Sequence, residues 1–244
     1  MMELTENNYR ILDWDSGFFG YKVASFRPRN IESHKLGDII ADLKKNDITL
    51  TYCFTQPDDE TSNSSIIGYS GFLAEEKVTY NAVLTGMNIT SYSDNIEPYK
   101  LNYSSDKLKL LALQAGLYSR FKVDPKFCNN EYRKLYLEWI DKSVNKQLSK
   151  EILVYYKDND EKGFVTLGIK EETGFIGLIA VDELERGNSI GRELMKAALN
   201  FFFNQKVYCI EVVTQKANIV ACEFYKSLGF KIKSIENIYH LWIK

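Results

Sequence analysis

Two spacings of apolar residues run along this chain and divide it into helices and strands. From Asn129 to Asn145 the residues Tyr132, Leu135, Tyr136, Trp139 and Ile140 recur at helical intervals, which predicts a helix. A second helix is expected over Asp106–Tyr118, capped by Ser104 or Ser105. Ile152–Lys157 reads as a short strand closed by the turn residues Asp158, Asn159 and Asp160. Phe164–Lys170 and Phe175–Val181 follow, parted by Glu171-Glu172-Thr173-Gly174, so a three-strand meander is predicted. A helix over Gly191–Asn204 would bury Leu194, Ala198 and Phe201 or Phe202. Val207–Val213 is nearly all apolar, as a strand buried on both faces would be. Ala217–Leu228 is expected as a helix stopped by Gly229, with two last strands near Lys231–Ile235 and Tyr239–Ile243. Strands and helices in this order predict an α/β fold, a mixed central sheet with helices on both faces.

The first hundred residues are less regular. Helix Ile31–Lys45, strand Thr49–Phe54, a short helix and strand Val78–Leu84 are the predicted run. Tyr69-Ser70-Gly71-Phe72 echoes Tyr225-Lys226-Ser227-Leu228-Gly229-Phe230, each before a β-rich segment. A degenerate half-copy of the later fold and chance similarity both account for that echo. The polar stretch Thr85–Ser105, with Asp94, Asn95 and Pro98, is the candidate linker between an N-terminal unit (1–100) and a C-terminal one (104–244).

Chemistry concentrates in Asp182–Met195, DELERGNSIGRELM. An apolar strand, a glycine-bearing turn and a helix start make an anion site, because turn N–H groups and helix dipole point the same way. Arg186 adds positive charge, while Gly187 and Gly191 let backbone approach a ligand. A diphosphate suits such a site.

Composition narrows the classes. The net charge of -2 gives nucleic-acid binding no electrostatic support. No apolar run reaches the ~20 residues of a membrane span. Met1–Glu6 lacks the basic and apolar regions of a signal peptide, and Cys53, Cys128, Cys209 and Cys222 read as free thiols, so a cytoplasmic protein is expected. His34 and His240 are the only histidines, no zinc spacing is present, and no GxSxG elbow occurs, which argues against metal and serine hydrolysis.

Arg186-Gly187-Asn188-Ser189-Ile190-Gly191, followed by Asn218 and Phe224-Tyr225-Lys226-Ser227-Leu228-Gly229-Phe230, resembles the two motifs of the GNAT superfamily of acetyl-CoA-dependent N-acetyltransferases over residues 104–244. Ser189 replaces the usual first glycine, a departure the motif tolerates if Ser189 keeps φ below zero. Trp14-Asp15-Ser16-Gly17-Phe18-Phe19-Gly20, Ser119-Arg120-Phe121 and Glu138-Trp139-Ile140 are similar to the TDP-fucosamine acetyltransferase group, which acetylates the amine of dTDP-4-amino-4,6-dideoxygalactose for surface polysaccharide.

That resemblance implies a GNAT fold with a smaller, truncated GNAT-like N-terminal domain. It implies acetyl-CoA as co-substrate without a metal, and a nucleotide-sugar acceptor, with direct transfer in a ternary complex. Tyr225 becomes the general acid that protonates the departing thiolate. The cofactor contacts become Arg186, Gly187, Asn188, Ser189, Gly191 and Asn218, with Ile179 and Val181 on the strand that pairs the pantetheine arm. Substrate contacts fall to Phe18, Phe19, Ser119, Arg120, Phe121 and His240, with Arg120 forking onto the diphosphate. The base is unassigned, and the assembly is open between monomer and homodimer. Other amines (a peptide N-terminus, a polyamine, an antibiotic) and a non-catalytic acyl-CoA sensor are the alternatives.

Overall fold

A computed structural model describes residues 9–85 and 91–243. The reading of Met1–Glu6, and part of the candidate linker, lie outside the described residues. The elements in chain order are β1 (Tyr9–Ile11), α1 (Asp13–Phe19), β2 (Lys22–Phe26), α2 (Ser33–Lys45), β3 (Ile48–Thr55), α3 (Glu60–Gly68) and β4 (Phe72–Val83). Then come β5 (Ile96–Pro98), α4 (Asp106–Ala115), α5 (Arg120–Val123), α6 (Glu131–Val144), β6 (Glu151–Lys157), β7 (Asp160–Lys170) and β8 (Thr173–Val181). After a single 3-10 turn, Glu183–Glu185, the chain ends with α7 (Ile190–Asn204), β9 (Cys209–Gln215), α8 (Ile219–Ser227) and β10 (Lys231–Trp242).

All described strands join one open, mixed sheet in the order β1-β2-β3-β10-β4-β9-β8-β7-β6-β5. The predicted α/β class holds. Several details differ from the expectation, among them β1, α1 and β2, which precede the predicted N-terminal run. The two expected last strands are one, β10, bent by register shifts against β4 between Ile232 and Ser234 and between Ile238 and Tyr239. Pairing with β4 runs unbroken through Glu236, Asn237 and Ile238, the residues between the two expected strands. The candidate linker contains β5, an edge strand paired with β6 through Ile96, Glu97 and Pro98. A proline is tolerated there because an edge leaves one side unbonded. Ser119–Val123 adds a one-turn helix, α5, between the two predicted ones.

The run β2-α2-β3-α3-β4 repeats the order and directions of β8-α7-β9-α8-β10. Each begins with a parallel pair, β2 with β3 and β8 with β9. Each ends with an antiparallel strand, but these last strands are exchanged: β10 pairs β3, and β4 pairs β9. The Tyr69–Phe72 and Tyr225–Phe230 segments occupy corresponding helix-to-strand junctions.

Helices cover both faces. Val78, Tyr80, Ile210 and Val212 pack under α7 and α8 with Leu194, Ala198 and Phe202. On the opposite face Leu50, Tyr52 and Ile238 pack with Phe121 and Leu135. Side chains alternate along β4, so Glu75 and Lys77 face away from α8 while Tyr80 faces it.

Candidate active site

The site begins with a strand that leaves its neighbour. β8 pairs with β9 only from Thr173 to Ile176, opposite Cys209 to Val212. Past that point Val213, Thr214 and Gln215 have no partner on β8. A bulge is the physical cause. Against β7, Leu167 faces Ile176 but Val165 faces Ile179, so β8 carries one extra residue. The hydroxyl of Thr166 accepts the Leu178 N–H at 2.7 Å and fixes the bulge. Glycine is required beside it, since a Cβ on Gly177 would lie 2.7 Å from the same hydroxyl oxygen. Ile179 and Val181 therefore lie on a strand splayed into a gap.

At the gap's end stands the predicted anion turn. Asp182 caps the 3-10 turn by accepting the Leu184 N–H at 3.1 Å, and is held by an ion pair with Lys107. Arg186 is anchored by its Nε to the Val181 carbonyl at 3.3 Å and by Nη2 to Gln114 at 3.4 Å. Its remaining edge is exposed. Gly187 takes φ 85° and Ser189 φ 61°. The condition of a negative φ at Ser189 is thus not met: the turn needs the left-handed conformation where the motif has glycine, and serine adopts it at a cost. Ser189 gives α7 no side-chain cap, so first-turn N–H groups remain for an anionic ligand. Asn188 points its amide to Glu185 at 3.3 Å.

A cavity of about 520 Å³ opens over this turn, and of the predicted cofactor residues all but Asn188 line it: Ile179, Val181, Arg186, Gly187, Ser189, Gly191 and Asn218. Asn218 also caps α8, accepting the Ala221 N–H at 3.2 Å, so capping and lining coexist. Tyr225 reaches the cavity from α8 with only 3% of its surface exposed. It packs on Tyr80, ring centroids 5.7 Å apart. Burial raises its hydroxyl far above the ordinary tyrosine value, which keeps the proton in place as an acid requires.

The predicted substrate residues come together elsewhere, over β3 and β10. Phe19 stacks on Phe121, centroids 5.9 Å apart, and Phe18 meets Phe19 edge-on at 5.0 Å. Ser119 caps α5 through the Phe121 N–H. The guanidinium of Arg120 lies 4.0 Å over Tyr52 and 4.7 Å over Phe121. His240, which the resemblance places among the substrate contacts, is fully buried. The reason is the Tyr52, Phe121 and Phe127 rings packed around it. Burial lowers its imidazole to about 4, so it is neutral. Its Nδ1–H is 2.6 Å from Asp124, which also accepts the Trp242 indole at 2.9 Å. Burial alone would raise the Asp124 carboxyl, but hydrogen bonds from His240, the Lys126 N–H and Trp242 hold it low. His240 Nε2 and Arg120 Nη1 are enclosed without a partner.

Two residues escaped the sequence reading. Glu75 accepts the Gln215 amide at 3.0 Å, and Gln215 ends the free edge of β9. Burial raises the Glu75 carboxyl above its ordinary value, against the pull of Arg120, Gln215 and Lys77. Glu75 and Tyr225 thus stand on opposite faces of the sheet beside the same gap. Nothing in the local pattern signals this, because Glu75-Glu76-Lys77 reads as solvated turn.

The comparisons fall on the same elements. The acetyltransferase (GNAT) family model matches residues 115–230. The dTDP-fucosamine acetyltransferase of Escherichia coli O6:H1 is 25% identical over 225 residues, covering 91% of this chain and 93% of that protein. The fold is shared with a GCN5-related N-acetyltransferase from Sphaerobacter thermophilus, TM-score 0.59 at 11% identity over 97% of this chain and 76% of that one. It is shared too with a tandem GNAT protein from the clavulanic acid biosynthesis pathway, TM-score 0.56 at 12% identity, covering 91% and 75%. Since the matched segment holds the bulged strand, the anion turn and the helix bearing Tyr225, the chain is an acetyltransferase enzyme built on a GNAT domain.

Proposed function

We propose that the protein transfers acetyl from acetyl-CoA to the amine of a dTDP-linked amino-dideoxysugar, such as dTDP-4-amino-4,6-dideoxygalactose, for surface polysaccharide synthesis. The observation that carries the reading is the gap between β8 and β9 beside the anion turn, with Glu75 held to Gln215 at the free end of β9. The diphosphate of CoA would lie on Arg186–Gly191, and the pantetheine arm would pair with Ile179 and Val181. The uncapped α7 N-terminus and the cavity over it fit that group. The 25% identical relative supports the sugar-nucleotide class, since its coverage extends through the N-terminal half.

The chemistry then needs no covalent enzyme intermediate. The acceptor amine loses a proton to Glu75, directly or through one water. Its nitrogen attacks the thioester carbon, and a strand N–H near Ile179 or Val181 stabilises the oxyanion. The C–S bond breaks as Tyr225 gives its proton to the thiolate, and the proton still on the new amide nitrogen passes through water to the tyrosinate. Much of the rate comes from holding both substrates across the gap. Residues 1–100 serve as a truncated GNAT-like unit that walls the acceptor side. Its own strand-to-helix turn is closed from within: the Asn30 N–H goes to Asp59 at 2.9 Å, and the Ile31 N–H goes to Ser62 at 2.9 Å. Internal groups thus occupy the donors that Arg186–Gly191 leaves free.

A thermal-shift screen of CoA esters and nucleotide sugars tests this, because a ligand bound only by the native state raises its stability. Acetyl-CoA and dTDP should each raise the melting temperature, and their effects should combine. A shift from acetyl-CoA alone, with none from any nucleotide sugar, would remove the sugar-nucleotide class and leave another amine.

A further inference from the structure

The acceptor face of the sheet carries charge that changes sign along it. Near the gap, Arg120 interacts with two carboxylates, Asp15 and Glu75. That end is rich in negative charge, as the approach of a cationic amine requires. Toward β2 the ratio reverses. Glu236 is the single carboxylate between two cations, meeting Arg27 at 2.5 Å and Lys77 through its other oxygen. Arg27 lies flat over Phe54, its guanidinium carbon 4.2 Å from the ring centroid, and Lys77 is 6.0 Å from the same ring. The Arg27 side chain is 61% exposed, so its outer edge is free for a ligand.

Register fixes how far apart the two ends are. Phe54, Ile238 and Glu75 are direct neighbours across β3, β10 and β4. Two strand spacings separate Phe54 from Glu75, roughly 10 Å. An amine at Glu75 and a phosphate at Arg27 are then one pyranose ring and one phosphoester apart. A guanidinium laid on an aromatic ring is pre-oriented and presents its fork to phosphate oxygens.

We propose that Arg27, stacked on Phe54 and backed by Lys77, holds the phosphate end of the acceptor. This rests on the sugar-nucleotide reading above and replaces the diphosphate role that the sequence motif suggests for Arg120. Arg120 is poorly suited to a dianion. Its planar faces meet Tyr52 and Phe121, and the two carboxylates beside it would repel phosphate. Arg120 instead positions the amine end by fixing Glu75 and Asp15.

The test is calorimetric titration of dTDP into the full-length protein and its Arg27→Ala, Arg27→Lys and Arg120→Lys variants, beside CoA release from the dTDP-linked amino-sugar. Arg27→Ala should weaken dTDP at least ~10-fold and Arg27→Lys several-fold, with acetyl-CoA affinity unchanged as the check on folding. Arg120→Lys should leave dTDP affinity within ~3-fold and lower turnover. If Arg27→Ala binds dTDP as wild type does while Arg120→Lys loses it, the subsite is refuted and the sugar-nucleotide reading stands. If wild type neither binds dTDP nor turns over any nucleotide sugar, the subsite and that reading are both refuted.

Discussion

In the proposed reaction Tyr225 and Glu75 would divide the proton work between two faces of one sheet, and each can be tested alone. Tyr225→Phe keeps the ring against Tyr80 and removes the proton. Its turnover should fall by roughly 10²-fold or more with acetyl-CoA binding nearly unchanged. A rate within a few fold of wild type would mean that water protonates the thiolate. Glu75 must be ionised to act as a base, and burial raises its carboxyl. The rate should therefore climb with pH through a value above the ordinary glutamate range. Glu75→Gln should flatten that acidic limb as well as lower the rate, and a retained limb would assign it to another group. Tyr225 was legible because its helix ends in Tyr and Gly-Phe. Glu75 was not, since its role depends on β4 lying between β9 and β10, a pairing that joins residues some 140 positions apart. His240 was legible as a residue and not as an environment. Its burial sets a stability prediction of definite sign. The folded imidazole is held near 4, against 6.5 when free. The unfolded chain takes up a proton that the folded one refuses, so stability is full above about 6.5 and is lost as pH falls toward 4. The loss attributable to His240 approaches ~3 kcal/mol. Urea unfolding at pH 7 and pH 5 should show a smaller difference for His240→Asn, and identical differences would contradict this.

At the scale of elements, the gap depends on one extra residue in β8. The hydroxyl of Thr166 holds the Leu178 N–H, and Gly177 leaves room for it. Thr166→Val keeps the volume and leaves that N–H without its acceptor. A loss of ~1–3 kcal/mol in urea unfolding is expected, with a fall in kcat. An unaltered kcat would show that the bulge does not set the gap. The anion turn was readable from Arg186 to Gly191, because glycine, charge and a helix start are local signals. Its backbone was not: Ser189 adopts φ 61°, a conformation that residue identity argues against. Within this turn, Gly191 has protein neighbours no closer than 3.5 Å to an added Cβ. Gly191→Val should thus fold normally and intrude on the ligand instead. Acetyl-CoA affinity should drop at least ~10-fold, about 1.4 kcal/mol, and unchanged affinity by calorimetry would remove the turn from the site.

Across the whole molecule, the exchange of β4 and β10 joins both halves through one sheet. The last strand of the chain closes the N-terminal run, and an early strand fills the place beside β9. The echo of Tyr69–Phe72 in Tyr225–Phe230 pointed to this repetition, but no local pattern distinguishes exchanged strands from unexchanged ones. The exchange brings Phe54, Glu75 and Gln215 onto one surface, so the proposed acceptor side would be made by both halves together. That arrangement stands or falls with the acceptor itself. The direct measurement is CoA release from acetyl-CoA with dTDP-4-amino-4,6-dideoxygalactose, its gluco isomer, a 3-amino isomer, the free amino-sugar, a peptide and a polyamine. Turnover of the galacto nucleotide sugar is predicted, with the free sugar far poorer because remote binding energy positions the amine. Turnover of the peptide or polyamine, with none of any nucleotide sugar, would contradict it.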